Sequence, residues 1–178
     1  MLVYTVAASP VGPLTLVASA QGLRAVRFGA HAPRGASEDA AHPALARAAG
    51  QLAEYFAGTR TAFDLALDLE GTPFQQRVWA LLQTIPYGAT TTYGALAARL
   101  GDPRTVRAVG RANGQNPAAV VVPCHRVVGQ DGSLTGFAGG LEAKALLLRL
   151  ERRVRPAAGG PAGQGDLFGP PGPAASAT

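Results

Sequence analysis

The chain has 178 residues, 47% of them hydrophobic, one cysteine, and a formal net charge of +5 from 16 Lys and Arg against 11 Asp and Glu. A single cysteine excludes an intramolecular disulfide framework and suits a reducing compartment, and no apolar run approaches the roughly 20 residues of a membrane span. The opening MLVYTVAASPVG lacks the basic start of a signal peptide, so a cytoplasmic location is expected, and the pI of about 10.1 suits a polyanionic partner such as nucleic acid as well as plain solubility.

Residues 1–29 alternate as strands. LVYTV, the turn SPVGP, LTLVAS, the turn AQG and LRAVRF predict an antiparallel meander. A helix is expected over 43–57, with Leu45, Leu52 and Phe56 on one face and Gly58 as its stop. AFDLALDL, 62–69, has the composition of a returning strand. Nothing in 1–70 points to chemistry.

The second half opens on a strong helix signal. Thr72 and Gln75 form a capping box around Pro73, and Phe74, Val78, Leu81, Leu82 and Ile85 fall on one face. IPYGATTTYG marks a turn. A helix capped by a Thr then runs to about Leu100 and stops at Gly101, and Asp102 caps a second helix with Pro103 at its first position. Two short helices joined by a Gly-containing turn make a helix-turn-helix pattern. The second carries Arg104, Arg107 and Arg111 among Ala108, Gly110, Ala112 and Gly114. Small residues permit close approach and arginines bind phosphates; a solvated basic face on a tightly packed helix is the plainer reading. A last helix is expected from about Leu141 to Arg152. From Pro156 the composition shifts to Pro, Gly, Ala and Ser, which predicts disorder. The whole is α/β (α+β): an N-terminal antiparallel-sheet plus helix domain (1–70), a mainly helical C-terminal domain (71–155) and a tail (156–178).

The cysteine stands in VVPCHRVVG, 121–129. A lone buried cysteine is ordinarily an inert small hydrophobe. Here His125 is adjacent, Arg126 follows, and Pro123 fixes the entry angle. Positive charge or a neighbouring base makes a thiol nucleophilic. Neighbours in an extended strand point opposite ways, so a Cys–His pair needs a turn or a bridging water at this point. His31 and His42 read as surface residues. With three scattered histidines and one cysteine, no zinc-ligand spacing exists.

Pro123-Cys124-His125-Arg126-Val127 resembles the PCHRV motif of the O6-alkylguanine-DNA alkyltransferases. The likeness runs through about 72–152, taking in TTYGALA, RAVGRANGQNP, the Gly-Gly turn and the final helix; residues 1–70 match that family's RNase H-like N-terminal domain in pattern. The resemblance implies single-turnover repair of O6-alkylguanine, without separating it from O4-alkylthymine as the preferred lesion, with transfer of the alkyl group to Cys124 and no metal or cofactor. It implies a duplex DNA partner and a monomer. His125 matches the base that takes the thiol proton through a water, and Glu151 the carboxylate orienting it. Without the resemblance, Glu151 reads as a solvated carboxylate beside Arg149, Arg152 and Arg153, and Tyr93 as a core aromatic. Tyr93 matches the phenol that donates to the purine N3. Asn116 matches the hinge asparagine between recognition helix and cysteine.

The resemblance also makes Arg107 the finger that fills the gap left by a rotated base. Arg104, Thr105, Ala108, Gly110 and Arg111 fall on the same DNA-facing helix, set in the minor groove, where readout is nearly sequence-blind. By the same resemblance, the backbone carbonyls of Cys124 and Val127 are expected to accept from the base's amino group, and the Ala138 amide to donate to the alkylated oxygen. Phe137 stands where many members have tyrosine, so it walls the pocket without a hydroxyl. A lesion-recognition or regulatory DNA-binding protein without transfer is the alternative, against which Cys124 with His125 and Glu151 speaks. A cysteine hydrolase lacks a visible oxyanion-hole motif. In the tail, Gln164, Leu167 and Phe168 resemble the pentapeptide by which bacterial repair proteins hook the sliding clamp.

Overall fold

The computed structural model describes residues 1–154; the tail and its Gln164–Phe168 motif lie outside them. The three expected strands form as read: β1 (Leu2–Ala7), β2 (Leu14–Ser19) and β3 (Gly22–Phe28) pair antiparallel, with a bulge at Val17/Ala18. A short β4 (Ala36–Glu38), which carries too few residues to register as an alternating pattern, pairs parallel with β1. The sheet is therefore mixed, in the order β3-β2-β1-β4. Every residue of central β2 is buried, so both of its faces are covered. Helix α1 (Pro43–Phe56) turns Leu45, Ala48, Leu52 and Tyr55 inward. His42, expected at the surface, is half-buried at the start of that helix, while His31 is exposed.

Residues 62–69 do not form the expected strand. They follow the edge of β3 at one point, where Leu23 N–H donates to Ala66 O at 2.8 Å and Asp68 N–H to Leu23 O at 2.9 Å. The other end of that edge is taken by the second half of the chain. Val26 N–H donates to Pro117 O at 2.9 Å, and Ala119 N–H to Val26 O at 3.1 Å. An edge strand with free amides invites association; here both ends are occupied from within.

Helix α2 (Pro73–Leu82) starts with the expected capping box, both bonds being present between Thr72 and Gln75. Val78, Trp79 and Leu82 are buried, and Trp79 Nε1–H donates to Ala112 O at 2.8 Å. Strand β5 (Thr91–Thr92) leads into α3 (Tyr93–Arg99), with Thr92 as its cap. Gly101, at φ +95°, lets the chain turn. Asp102 caps a 3-10 turn (Pro103–Thr105), not an α-helix directly; α4 (Val106–Gly114) continues from it. Strand β6 (Val127–Val128) pairs parallel with β5, and α5 (Gly140–Val154) closes the described chain.

Two apolar clusters result. One is built on β2, β3 and α1 but takes in Val120, Val121 and Leu147 from the second half. The other joins α2, α3 and α4 around Val122, Cys124 and Val127. The segment 117–127 lies between them, tied to both. Among the described residues no helix is long and apolar enough to cross a membrane.

Candidate active site

The turn that a Cys–His pair requires is present. Pro123, at φ −81° and ψ 61°, has the angles of an inverse γ-turn, and Cys124 N–H donates to Val122 O at 2.8 Å across it. Residues Cys124–Arg126 then form a single 3-10 turn, so His125 and Arg126 leave the backbone on new bearings rather than alternating. Upstream, Val122 N–H reaches back to Ala118 O at 2.9 Å. That tight turn holds Val120 at φ 72°, a conformation costly for a β-branched residue. Asn116 braces it: Nδ2–H donates to Val122 O at 2.8 Å, and Oδ1 accepts from Ala118 N–H at 3.0 Å.

His125 and Glu151 are both wholly inaccessible to solvent, with Nε2 2.7 Å from Oε1. The plainer expectation of a solvated Glu151 does not hold. Its carboxylate receives five hydrogen bonds. Oε1 takes His125, the Tyr55 hydroxyl at 2.8 Å and Arg126 Nη2 at 2.9 Å; Oε2 takes Arg126 Nε at 2.9 Å and the Gly88 amide at 3.0 Å. Arg126 thus grips Glu151 as a two-pronged fork and spends its third nitrogen on Ile85 O at 2.6 Å. The arginine that follows the motif histidine serves the carboxylate.

Electrostatics follow from this packing. Burial alone would raise the Glu151 carboxyl, but the bonds from His125 and Arg126 outweigh it and hold the group at about 2. Burial pushes the His125 imidazole below its ordinary value, the Glu151 bond resisting. Burial also pushes the Cys124 thiol up, while Asn116 and the Lys144 ammonium pull it back. The resting trio is therefore thiol, neutral imidazole and carboxylate. With Nε2–H donating to Glu151, Nδ1 is the acceptor nitrogen, and it has no partner among the described residues.

Lys144 was not anticipated. It is fully buried on α5, donating to Val127 O at 2.6 Å and to Thr135 O at 2.9 Å, and burial lowers its own pKa. It fastens the 134–139 loop to β6. Val127 O, expected to receive a base, already holds this bond; a carbonyl has a second lone pair. A signal for Lys144 existed: Lys144, Leu147, Leu148 and Glu151 lie seven residues apart end to end and so on one helical stripe.

In front of Cys124 the groups are open. Tyr93 is half-buried at the start of α3; its hydroxyl accepts from Thr135 Oγ1 at 3.2 Å, and its ring lies over Gly110 of α4. Phe137 packs edge-on to His125 (centroids 6.5 Å apart) and to Phe28 of β3 (5.3 Å). Gly139 lies so close to the Phe28 ring that a Cβ would sit 2.6 Å from it. Ala138 is exposed beside them. Arg107, Ala108 and Arg111 are exposed on α4, Gly110 half so; Arg104 is exposed and paired with Asp102, and Thr105 Oγ1–H donates to Asp102 O. The structure thus buries Cys124, His125 and Glu151, braces their turn with half-buried Asn116, packs half-buried Tyr93 and Phe137 against the apolar cluster that holds Cys124, and leaves Arg104, Arg107 and Arg111 exposed.

Residues 2–69 match the family model for the 6-O-methylguanine DNA methyltransferase ribonuclease-like domain, and residues 73–153 the model for its DNA binding domain. The methylated-DNA–protein-cysteine methyltransferase of Mycolicibacterium paratuberculosis is 50% identical over 159 residues, covering 88% of this chain and 96% of the relative. A crystal structure of the Mycobacterium tuberculosis O6-methylguanine methyltransferase superposes with a TM-score of 0.80 at 48% identity, over 88% of this chain and 96% of that one. A structure of the M. tuberculosis protein in complex with DNA gives 0.79 at 49% identity, over 86% and 95%.

Proposed function

The chain belongs to the 6-O-methylguanine DNA methyltransferase family and repairs DNA by alkyl transfer to a protein cysteine, and from that premise we propose that Cys124 is the acceptor and that His125 and Glu151 drive it. The observation carrying this reading is the buried Nε2–Oε1 contact of 2.7 Å, which leaves Nδ1 as the nitrogen able to take a proton. The thiol proton passes through a water to Nδ1. The sulfur attacks the alkyl carbon in line: the S–C bond forms, the C–O6 bond breaks, and its electron pair leaves with the guanine. A buried thiol is a poor nucleophile until deprotonated; the imidazolium that forms is balanced by Glu151, already a carboxylate. The thioether is not cleaved, so each molecule acts once.

In this reading Tyr93, at the mouth of the cluster, donates to the purine N3 and stabilises the charge the leaving base develops. Phe137 walls the pocket by its ring, the carbonyls of Cys124 and Val127 receive the base's amino group, and the Ala138 amide addresses O6. The exposed face of α4 meets the minor groove, with Arg104, Thr105, Ala108, Gly110 and Arg111 along the backbone, and Arg107 replaces the rotated base. The protein acts as a monomer in the cytoplasm, with 1–70 and 71–155 as its two domains. By its sequence, the tail hooks the sliding clamp through Gln164, Leu167 and Phe168; a peptide of residues 160–172 then binds the clamp and Phe168→Ala releases it. The decisive experiment is intact-protein mass spectrometry after mixing with duplex DNA carrying one O6-methylguanine. A gain of one methylene, absent in Cys124→Ala although that variant still binds the DNA, supports the assignment. Tight binding with unchanged mass would overturn it in favour of lesion recognition alone.

A further inference from the structure

The N-terminal half shows no chemistry in its sequence, yet one of its side chains enters the buried cluster. We propose that Tyr55 is a positioning residue of the transfer chain: its hydroxyl, donating to the oxygen of Glu151 that faces His125, sets how firmly the carboxylate holds the imidazolium proton. The inference rests on the reading of Cys124, His125 and Glu151 given above.

Tyr55 is fully buried on α1, and its hydroxyl lies 2.8 Å from Glu151 Oε1. The same oxygen faces His125 Nε2 at 2.7 Å and Arg126 Nη2 at 2.9 Å. A carboxylate oxygen offers about two lone-pair sites, so three donors compete for it. Whatever Tyr55 takes is withdrawn from His125. A buried phenol needs a partner, and a backbone carbonyl would satisfy it; this one is committed to the one carboxylate on which the histidine depends. The ring is held independently, against Phe56 (5.3 Å), Phe63 (5.5 Å) and Tyr87 (6.0 Å), so the hydroxyl is not required to place it.

The other groups facing the pair are few. Arg126 lies between Glu151 and the Tyr87 ring, 5.6 Å from its centroid; Lys144 approaches from α5 and Cys124 from the same turn. Burial raises both the Tyr55 and Tyr87 phenols, so neither ionises where His125 titrates. Tyr55 therefore acts through its hydrogen bond and not its charge. Removing that donor leaves the carboxylate a stronger acceptor for Nε2–H, which makes the imidazole more basic.

The test is the pH profile of single-turnover transfer from O6-methylguanine duplex, using the full chain. For Tyr55→Phe the acid limb moves to higher pH by about half a unit to one unit, the size of an ordinary hydrogen bond, because the change reaches the imidazole only through the carboxylate. Fluorotyrosine placed at position 55, a stronger donor of nearly the same volume, moves the limb the other way and covers the case in which the Phe variant folds poorly. A limb that stays in place in both would overturn the inference, whatever happens to stability. His125→Ala separates the two failures. If it removes the limb while the Tyr55 variants leave it fixed, the transfer reading stands and Tyr55 only packs. If it leaves the limb untouched, His125 is not the base and both fall together.

Discussion

Arg126 and Arg107 stand 19 positions apart in the sequence, and the chain uses them in opposite ways. Arg126 is 7% exposed, and all three of its nitrogens are spent inside, on Glu151 and Ile85. Arg107 is exposed on α4 and makes no ion pair with another of the described residues. The same division runs through the two regions they belong to. Behind Cys124, every lone pair of the carboxylate is claimed and the His125 and Glu151 side chains have no solvent-accessible surface. In front, the Arg107 and Arg111 side chains are exposed to solvent. A saturated buried site holds geometry and resists change; an unsaturated exposed face keeps its bonding capacity for a partner. Damage to the first is expected to register as lost folding, damage to the second as lost transfer from DNA.

The largest effect on the folded chain is expected from Arg126→Ala. It leaves Glu151 buried without its counter-ion, and breaking such a pair costs about 3–5 kcal/mol. Denaturant unfolding measures this directly. A loss under 1 kcal/mol, on the order of a surface pair, would mean that water enters the cluster and that the contrast is false.

Acid sharpens the same point. His125 and Glu151 both have folded values below their ordinary ones of 6.5 and 4.5. For each, the unfolded chain binds the proton first, so its stabilisation is complete above the ordinary value and is lost as pH falls. The loss begins below 6.5 with His125 and steepens between 4.5 and about 2 with Glu151, the latter amounting to about 3 kcal/mol. Unfolding free energies from pH 7 downward test it, and Glu151→Gln flattens the lower part of the curve.

The two regions also differed in how readable they were. The front was legible: the capping box at Thr72, the stop at Gly101 and the Asp102 cap all stand in short local patterns, and the structure has each. The motif trio was named through resemblance; periodicity alone left Glu151 in solvent beside three arginines. What joins the back of the site is long-range. Tyr55 lies 96 positions from Glu151, and Gly88 lies 63 away, and no local pattern encodes such pairs. Residues 62–69 read as a strand because their apolar alternation is real, but β3's edge is shared with 117–119 and leaves them a single point of pairing.

At the mouth of the pocket the expected effect is kinetic. Tyr93→Phe removes a hydroxyl whose bond in this structure is to Thr135 at 3.2 Å. Its loss should change stability little, yet slow transfer by about 10- to 1000-fold if the phenol stabilises the departing base. Rapid-quench rates on one lesion decide it, and a rate within twofold would assign Tyr93 to packing.

Arg107→Ala should disturb the folded chain least, by no more than about 0.5 kcal/mol, because the side chain is exposed and has no ion-pair partner among the described residues. The informative quantity is a ratio. If Arg107 fills the space of a rotated base, the variant loses much of its rate on duplex DNA and little on free O6-alkylguanine, which has no stack to leave. Equal losses on both would place the arginine in the chemistry instead. Equal retention on both would leave α4 as a phosphate-binding face with no finger. Since the back of the site is untouched by the change, its pH profile on the free base should coincide with that of the parent chain, which separates an altered encounter with DNA from an altered nucleophile.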